Sequence, residues 1–499
     1  MRRQSGILMP VFSLPSGYGI GDFGSGAYGF IDYLKKAGQS VWQKLQLEQT
    51  GYGNSPYSSV CSYSFNPYFI SPEILFEKGL ATKEETEFCK SDAECIDYGF
   101  LYSVRLPLLK KAFSRFDKEG AEFKAFKKSG RFYNYALYMT LKYASGQKHF
   151  YEWEDRYSRR DKFALDEFYK DYAEETDFWQ FIQFEAEKEW FALKKYANDK
   201  GVSIFGDLPL YPALDSVDVW ENPTIFKLDE NFTPKTVAGV PPDYFCADGQ
   251  LWGNPVYDYS ALEKEGFKWW AERISRELKK FDYIRIDHFR GLDRYYEVPY
   301  GAKDAKCGEW VQVPSEKLFK AIHSVADKTR IIAEDLGIID DGVRELLKKT
   351  GYAGMKILLF AFNGEKDNLY LPERIRENAV CYTGTHDNDT LMEYLAGASA
   401  WDKNNFITGV KESLKAFGGA LTQETDSDLA DAAIRLGFAC KANMFILPFA
   451  DVIKKGAEYR INEPGTVKPQ NWAVRFKKAD FDDNSAEKLL KLAEKYKRI

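Results

Sequence analysis

Eight short apolar runs recur along this chain with amphipathic stretches of helical length between most of them, and that alternation restricts the fold more than any other feature. The runs cover 6–11, 41–45, 202–207, 283–287, 330–334, 355–360, 379–382 and 444–447. The runs over 283–287, 331–334 and 379–387 are rich in β-branched or aromatic residues and are bounded by Gly, Asp or Asn, as a buried parallel strand should be. Between them, segments such as 28–37 and 341–349 carry helical periodicity. Strands alternating with helices imply a parallel sheet, and eight repeats imply a closed (β/α)8 barrel of the TIM type. An open, doubly wound sheet is the alternative.

The spacing of the runs is uneven. Positions 46–201 separate the second and third, far more than a barrel crossover needs. Within them, 72–199 is rich in Lys, Glu, Tyr and Phe at helical spacing, clearest over 134–143 and 178–196. This stretch reads as an inserted helical subdomain. A second insertion, 223–259, reads as loop, with Pro241-Pro242-Asp243-Tyr244 and Gly249-Gln250-Leu251-Trp252-Gly253-Asn254-Pro255. The segment 486–499 is a basic amphipathic helix, better suited to packing on a barrel than to lying on a membrane.

With 499 residues and 44% apolar side chains, the chain can bury a large core without disulfides. Its seven cysteines form no CxxC pair, which points to a reducing, cytoplasmic setting. The apolar start, 7–12, is broken by Pro10 and is too short for a signal peptide; no run is long enough to span a bilayer. A net charge of −6 argues against a general nucleic-acid binder. Aromatic residues reach 16%, and several stand in Gly/Pro-rich stretches where flat rings would suit the apolar faces of sugars.

Three of the runs end on carboxylates. Asp287 closes Tyr283-Ile284-Arg285-Ile286-Asp287, Glu334 closes Ile331-Ile332-Ala333-Glu334, and Asp387 follows Tyr382-Thr383-Gly384-Thr385-His386. In a barrel of parallel strands such positions share one mouth. Two carboxyl groups flanking a glycosidic bond are the working parts of most sugar-cleaving enzymes. Strand alternation sets Arg285 on the same side as Asp287, so its charge is expected to lower the Asp287 pKa, as a nucleophile needs. Glu334 follows an apolar run, so its carboxyl is expected to hold a proton nearer neutrality, as a general acid needs. Asp387, in a dense polar cluster, can bond the hydroxyls of a distorted sugar ring. The same cluster allows His386, Asp387 and Asp389 as metal ligands, but no further His lies nearby in the sequence. Asp387-Asn388-Asp389 also fits the DxD element of nucleotide-sugar transferases, without the glycine-rich turn that would hold a diphosphate.

Several segments match a known pattern in the same order. Gly206-Asp207-Leu208-Pro209, Arg285-Ile286-Asp287-His288-Phe289-Arg290-Gly291, Ala333-Glu334-Asp335-Leu336-Gly337 and Tyr382-Thr383-Gly384-Thr385-His386-Asp387-Asn388-Asp389-Thr390 resemble the signature segments of the α-amylase clan. Together with Ser13-Leu14-Pro15-Ser16, Gly51-Tyr52-Gly53-Asn54-Ser55-Pro56-Tyr57 and Gly239-Val240-Pro241-Pro242-Asp243-Tyr244-Phe245, they are most similar to the 4-α-glucanotransferase family, also called amylomaltase or disproportionating enzyme. The resemblance implies a single catalytic barrel over 1–499 with no separate C-terminal β domain. It implies Asp287 as nucleophile, Glu334 as acid and then base, and Asp387 as stabiliser of the distorted sugar, the first two carboxyls about 5–5.5 Å apart. It further implies that Tyr57, Asp207, Arg285 and His386 line the donor glucose site. Trp252, Phe362 and Asn462 would contact sugars across or beyond the cut, with Ser55 and Tyr244 also on the substrate and the 223–259 region as a lid.

The expected reaction is transfer of α-1,4-glucan segments between maltooligosaccharides by a retaining double displacement, with no cofactor and no catalytic metal. A retaining α-glucan hydrolase with the same three acids is one rival. A catalytically inactive glucan-binding barrel is the other.

Overall fold

A computed structural model describes residues 3–51, 53–242 and 247–499. Eight parallel strands form its centre: β1 (Gln4–Leu8), β2 (Val41–Gln43), β3 (Ser203–Leu208), β4 (Tyr283–Ile286), β5 (Ile331–Ala333), β6 (Gly354–Ile357), β7 (Ala379–Tyr382) and β8 (Met444–Pro448). Each lies beside its neighbours in sequence, and β8 pairs with β1 in register from Gln4 with Met444 to Leu8 with Pro448. Between β5 and β6 the ring closes through a bridge from Ile332 to Ala353 and the bond from Ala333 N–H to the Ala353 carbonyl, 2.9 Å. This is the (β/α)8 barrel that the alternating runs imply. The strands are almost wholly buried because both faces are covered, by barrel interior on one side and helices on the other. At Gly206 a Cβ would sit 2.1 Å from the Phe281 ring, so only glycine lets that ring pack beneath β3 next to Asp207.

The ends of the chain are sewn together at the floor of the barrel. The Arg498 guanidinium is buried and donates to the carbonyls of Gln4, Phe438, Ala442 and Cys440 at 2.8–3.0 Å. The helix Asp483–Lys495 packs against the helix Ser25–Lys36, and the hydroxyls of Tyr33 and Ser485 meet at 2.9 Å. Among the described residues no helix is long and apolar enough to cross a membrane.

Between β2 and β3 the chain is helical, from Pro72–Glu77 to the long helix Ala173–Asp199. Tyr133–Ala144 packs along the latter. Phe113, Phe116, Phe123, Phe126, Phe181 and Phe184 make one ring-on-ring cluster with centroids 4.8–6.4 Å apart. Much of the aromatic surplus therefore serves as core for these helices and has no access to a ligand.

Two features differ from the reading of the sequence. The region 223–259 is more than loop: Thr236–Val240 pairs antiparallel with Gln250–Pro255 and with Arg294–Pro299, which in turn pairs with Glu309–Gln312. One of the two partners of the short glycine-containing strand lies some sixty positions away, which local patterning does not reveal. The sixth run also stops early. The strand ends at Ile357, and Leu358–Phe360 turns as a single 3-10 helix.

Candidate active site

The carboxyl ends of β3, β4, β5 and β7 open on one cleft of about 2840 Å³, lined by Tyr57, Arg285, Asp287, Glu334 and Asp387 among others. At its base Asp207 and Arg285 form a two-pronged pair, Nε to Oδ1 at 2.5 Å and Nη2 to Oδ2 at 2.9 Å. The same Nη2 donates to Asp287 Oδ1 at 2.7 Å and to the Tyr57 hydroxyl at 2.9 Å. Tyr57 gives its own hydrogen to Asp207 at 2.5 Å, and Gln46 donates to the same carboxylate at 3.0 Å. His386 Nε2 lies 2.8 Å from the Tyr57 oxygen and 3.2 Å from Asp387 Oδ2, with its ring stacked on Tyr57. Because the tyrosine hydrogen is committed to Asp207, this nitrogen carries the hydrogen that both oxygens accept. Trp472 closes the group, its ring 5.9 Å from Tyr57 and 6.0 Å from His386.

Glu334 is oriented by backbone. Its carboxylate accepts from the His288 N–H at 2.7 Å and the Leu336 N–H at 3.2 Å. The first contact exists because His288 adopts a left-handed conformation, φ 49°, directly after Asp287. A non-glycine residue held there is strained and is kept by its surroundings. Trp252 sets its ring edge-on against His288 at 4.8 Å. Burial holds the His288 imidazole down at about 4, with Arg290 adding to the effect, so the ring is neutral at physiological pH.

The three acids differ in charge state. Burial pushes Glu334 well above the usual carboxylate range, and the neighbouring Asp287 pushes the same way, against Arg285 and the His288 N–H. Asp287 is also raised, to about 6: burial, Asp207 and Asp387 together outweigh Arg285 and His386. This reverses the downward shift expected from Arg285 alone: burial is the largest effect, and the negative charges of Asp207 and Asp387 add to it. Asp387 goes the other way. Burial would raise it, but His386, the 2.6 Å bond from the Asn462 amide, and Arg285 bring it down to about 2.

The remaining sequence candidates fall in several places. Ser55 lines the cleft and its hydroxyl accepts from the Tyr57 N–H at 3.3 Å. Trp252 stands at the rim, 37% exposed, with its indole N–H donated to Gln250 at 3.1 Å. Phe362 is turned away: it is 3% exposed and packs edge-on against Phe406. Phe360, two residues earlier and 44% exposed, lines the cleft instead. Tyr244 lies outside the described residues. Asp389 pairs with Arg460, and among the described residues no group of His, Cys, Asp and Glu could hold a metal ion. Sequence reasoning passed over Gln46, His288 and Trp472. The first two follow β2 and β4 at the ends that face the mouth, so the rule that found the acids could have found them too.

A family pattern described as 4-alpha-glucanotransferase matches residues 9–480. A 4-alpha-glucanotransferase of Clostridium butyricum is 40% identical, over 98% of this chain and 100% of the relative. One from Aquifex aeolicus is 41% identical over 95% and 96%. An amylomaltase from Streptococcus agalactiae, solved in complex with acarbose, superposes with a TM-score of 0.94 at 34% identity and full coverage of both chains.

Proposed function

Because this chain belongs to the 4-alpha-glucanotransferase family, we propose that its cleft moves α-1,4-glucan segments from a donor maltooligosaccharide to the 4-hydroxyl of an acceptor glucan or glucose. One observation carries the chemistry: Asp287 and Glu334 stand at adjacent strand ends, where the N–H of His288, the residue after Asp287, orients Glu334, and burial beside Asp287 pushes the Glu334 carboxyl well above the usual range, toward its protonated form.

Glu334 gives its proton to the glycosidic oxygen while Asp287 attacks the anomeric carbon. The leaving glucan departs as an alcohol, and a glucosyl ester forms on Asp287. Glu334, now a carboxylate, takes the proton of the acceptor 4-hydroxyl, whose oxygen displaces Asp287 and restores the starting configuration. Asp387, ionised throughout, bonds the hydroxyls of the distorted ring and favours the positive charge that develops on it. Tyr57, Asp207, Arg285 and His386 form the donor wall, where their mutual bonds fix the geometry before substrate arrives. Trp252 and Asn462 face sugars across the cut, and the 223–259 region acts as the lid. Phe362 has no part in this scheme.

Transfer requires the acceptor to outcompete water, which is far more concentrated, so the cleft has to bind sugar and exclude solvent while the ester survives. A reducing, cytoplasmic setting belongs to the same reading, supported by unpaired thiols at Cys61, Cys89, Cys381 and Cys440, all buried. Incubation with maltotriose tests the proposal. A ladder of longer chains at constant total reducing ends is the expected outcome. Rising reducing ends with shorter products only would identify a hydrolase using the same acids.

A further inference from the structure

The cleft wall does not stop at Trp252. Contacts walk outward along it from the acid: His288 to Trp252, Trp252 to Tyr211 with ring centroids 6.5 Å apart, and the Asn254 amide to the Pro212 carbonyl at 2.9 Å. Three residues on, Asp215 anchors a structure that no part of the reaction uses. Its carboxylate accepts from Tyr138 at 2.6 Å, Lys142 at 2.5 Å, His149 Nδ1 at 2.9 Å and the Phe150 N–H at 3.1 Å. The effect is to pin His149, whose ring stacks on Tyr151 with centroids 5.1 Å apart and planes 13° from parallel. Both rings line the same continuous cleft as Glu334, and so does Tyr300, which is 56% exposed.

Aromatic rings gathered along one cleft, unlike rings scattered singly over a surface, mark a ligand groove, and four donors on one carboxylate fix the His149 ring there in advance. A pyranose presents an apolar face of C–H bonds and a polar edge of hydroxyls. A tyrosine presents the matching combination, a flat apolar body with a polar tip. We infer that His149, Tyr151 and Tyr300 form a distal shelf that binds an α-1,4-glucan chain extending from the catalytic cluster past Trp252, so that it sets the preference for long chains over short ones. This inference rests on the glucan-transfer reading of the cleft. It adds a site that the short substrates of that reaction do not reach. Because Asp215 holds His149, and His149 stacks on Tyr151, little freedom is lost when a sugar stacks on that pair.

Calorimetry with maltotriose and maltoheptaose tests the shelf, using the full chain carrying Glu334→Gln to prevent turnover. Adding Tyr151→Ala or Tyr300→Ala should raise the maltoheptaose Kd by about tenfold, the loss of one ring contact. The maltotriose Kd should change by less than about twofold. An equal change for both sugars, or none for either, overturns the shelf. If Glu334→Gln alone binds no maltooligosaccharide of any length, the glucan-transfer reading itself falls, and the shelf with it. Tyr151 is half-buried, so its variant is checked for an intact thermal transition. Should that transition be lost, Tyr300→Ala, on an exposed turn, carries the test alone.

Discussion

The ends of β4 and β7 each present an aspartate to the same cleft, yet the two carboxyls are driven in opposite directions. Asp287 is raised to about 6 and Asp387 lowered to about 2, although burial pushes both upward. The difference lies in how their partners are shared. Asp387 has an amide of its own in Asn462 and the Nε2–H of His386. Among the described residues Asp287 accepts one side-chain hydrogen bond, from a prong of Arg285 whose guanidinium is bound twice by Asp207, and the charges of Asp207 and Asp387 oppose its ionisation. A nearby cation therefore says little about a carboxylate until its other partners have been counted. Chemically the split is useful. The group that must stay charged has one donor of its own, Asn462, besides the His386 N–H that it shares with Tyr57, whereas the group that must form and break a bond is held less firmly in its ionised form.

The comparison can be broken most severely at Asp287. Asp287→Asn should cut turnover by on the order of 10⁴-fold or more, since no covalent intermediate can form. Its effect on stability should have the opposite sign. A carboxyl whose folded pKa is raised favours folding less once it ionises, so wild-type loses stability as pH climbs from about 4 through about 6. The variant should escape that loss and be more stable by on the order of 1 kcal/mol at pH 7, with no gain at pH 3.5. Denaturant melts at the two pH values check this, and equal gains at both would refute the shared-cation account.

Next in size is Glu334→Gln, expected to lower kcat by about 10²–10⁴-fold while maltooligosaccharide binding survives. Retained turnover would instead place the proton donor elsewhere. Asn462→Ala removes a private donor from Asp387 and should cost about 1.5–3 kcal/mol of transition-state stabilisation, read as a loss in kcat/KM. A change confined to KM would show that Asn462 contacts substrate without supporting Asp387.

A pH profile sharpens the comparison further. The rising limb of kcat/KM should fall near pH 6, where Asp287 ionises, with the falling limb set by Glu334 above it. Asp207→Asn releases Arg285 to Asp287 and removes a neighbouring negative charge, so the rising limb should move to lower pH. An unmoved limb would mean that Asp207 does not control Asp287. The smallest effect belongs to Phe362→Leu, a core change costing about 1 kcal/mol of stability with sugar affinity unaltered, whereas Phe360→Leu should alter affinity.

Much of this was legible in the residues themselves. All eight apolar runs are barrel strands because β-branched and aromatic side chains suit a sheet covered on both faces, and strand ends in such a barrel share one mouth. What stayed hidden depended on contacts distant in sequence. Arg285 is visible two positions from Asp287, but Asp207, which takes most of its charge, lies on another strand. The pairing of Thr236–Val240 with Arg294–Pro299 is equally remote. Phe362 comes from the family resemblance alone; the chain turns as a 3-10 helix over Leu358–Phe360, and it is Phe360 that lines the cleft.

The pairing of β1 with β8 has a consequence for how the molecule is made. On a ribosome, Met444–Pro448 is translated more than four hundred residues after its neighbour Gln4–Leu8. At roughly 5–20 residues per second, one edge of the nascent sheet stays open for tens of seconds. An uncovered parallel edge of that duration invites misassembly until β8 arrives to cover it.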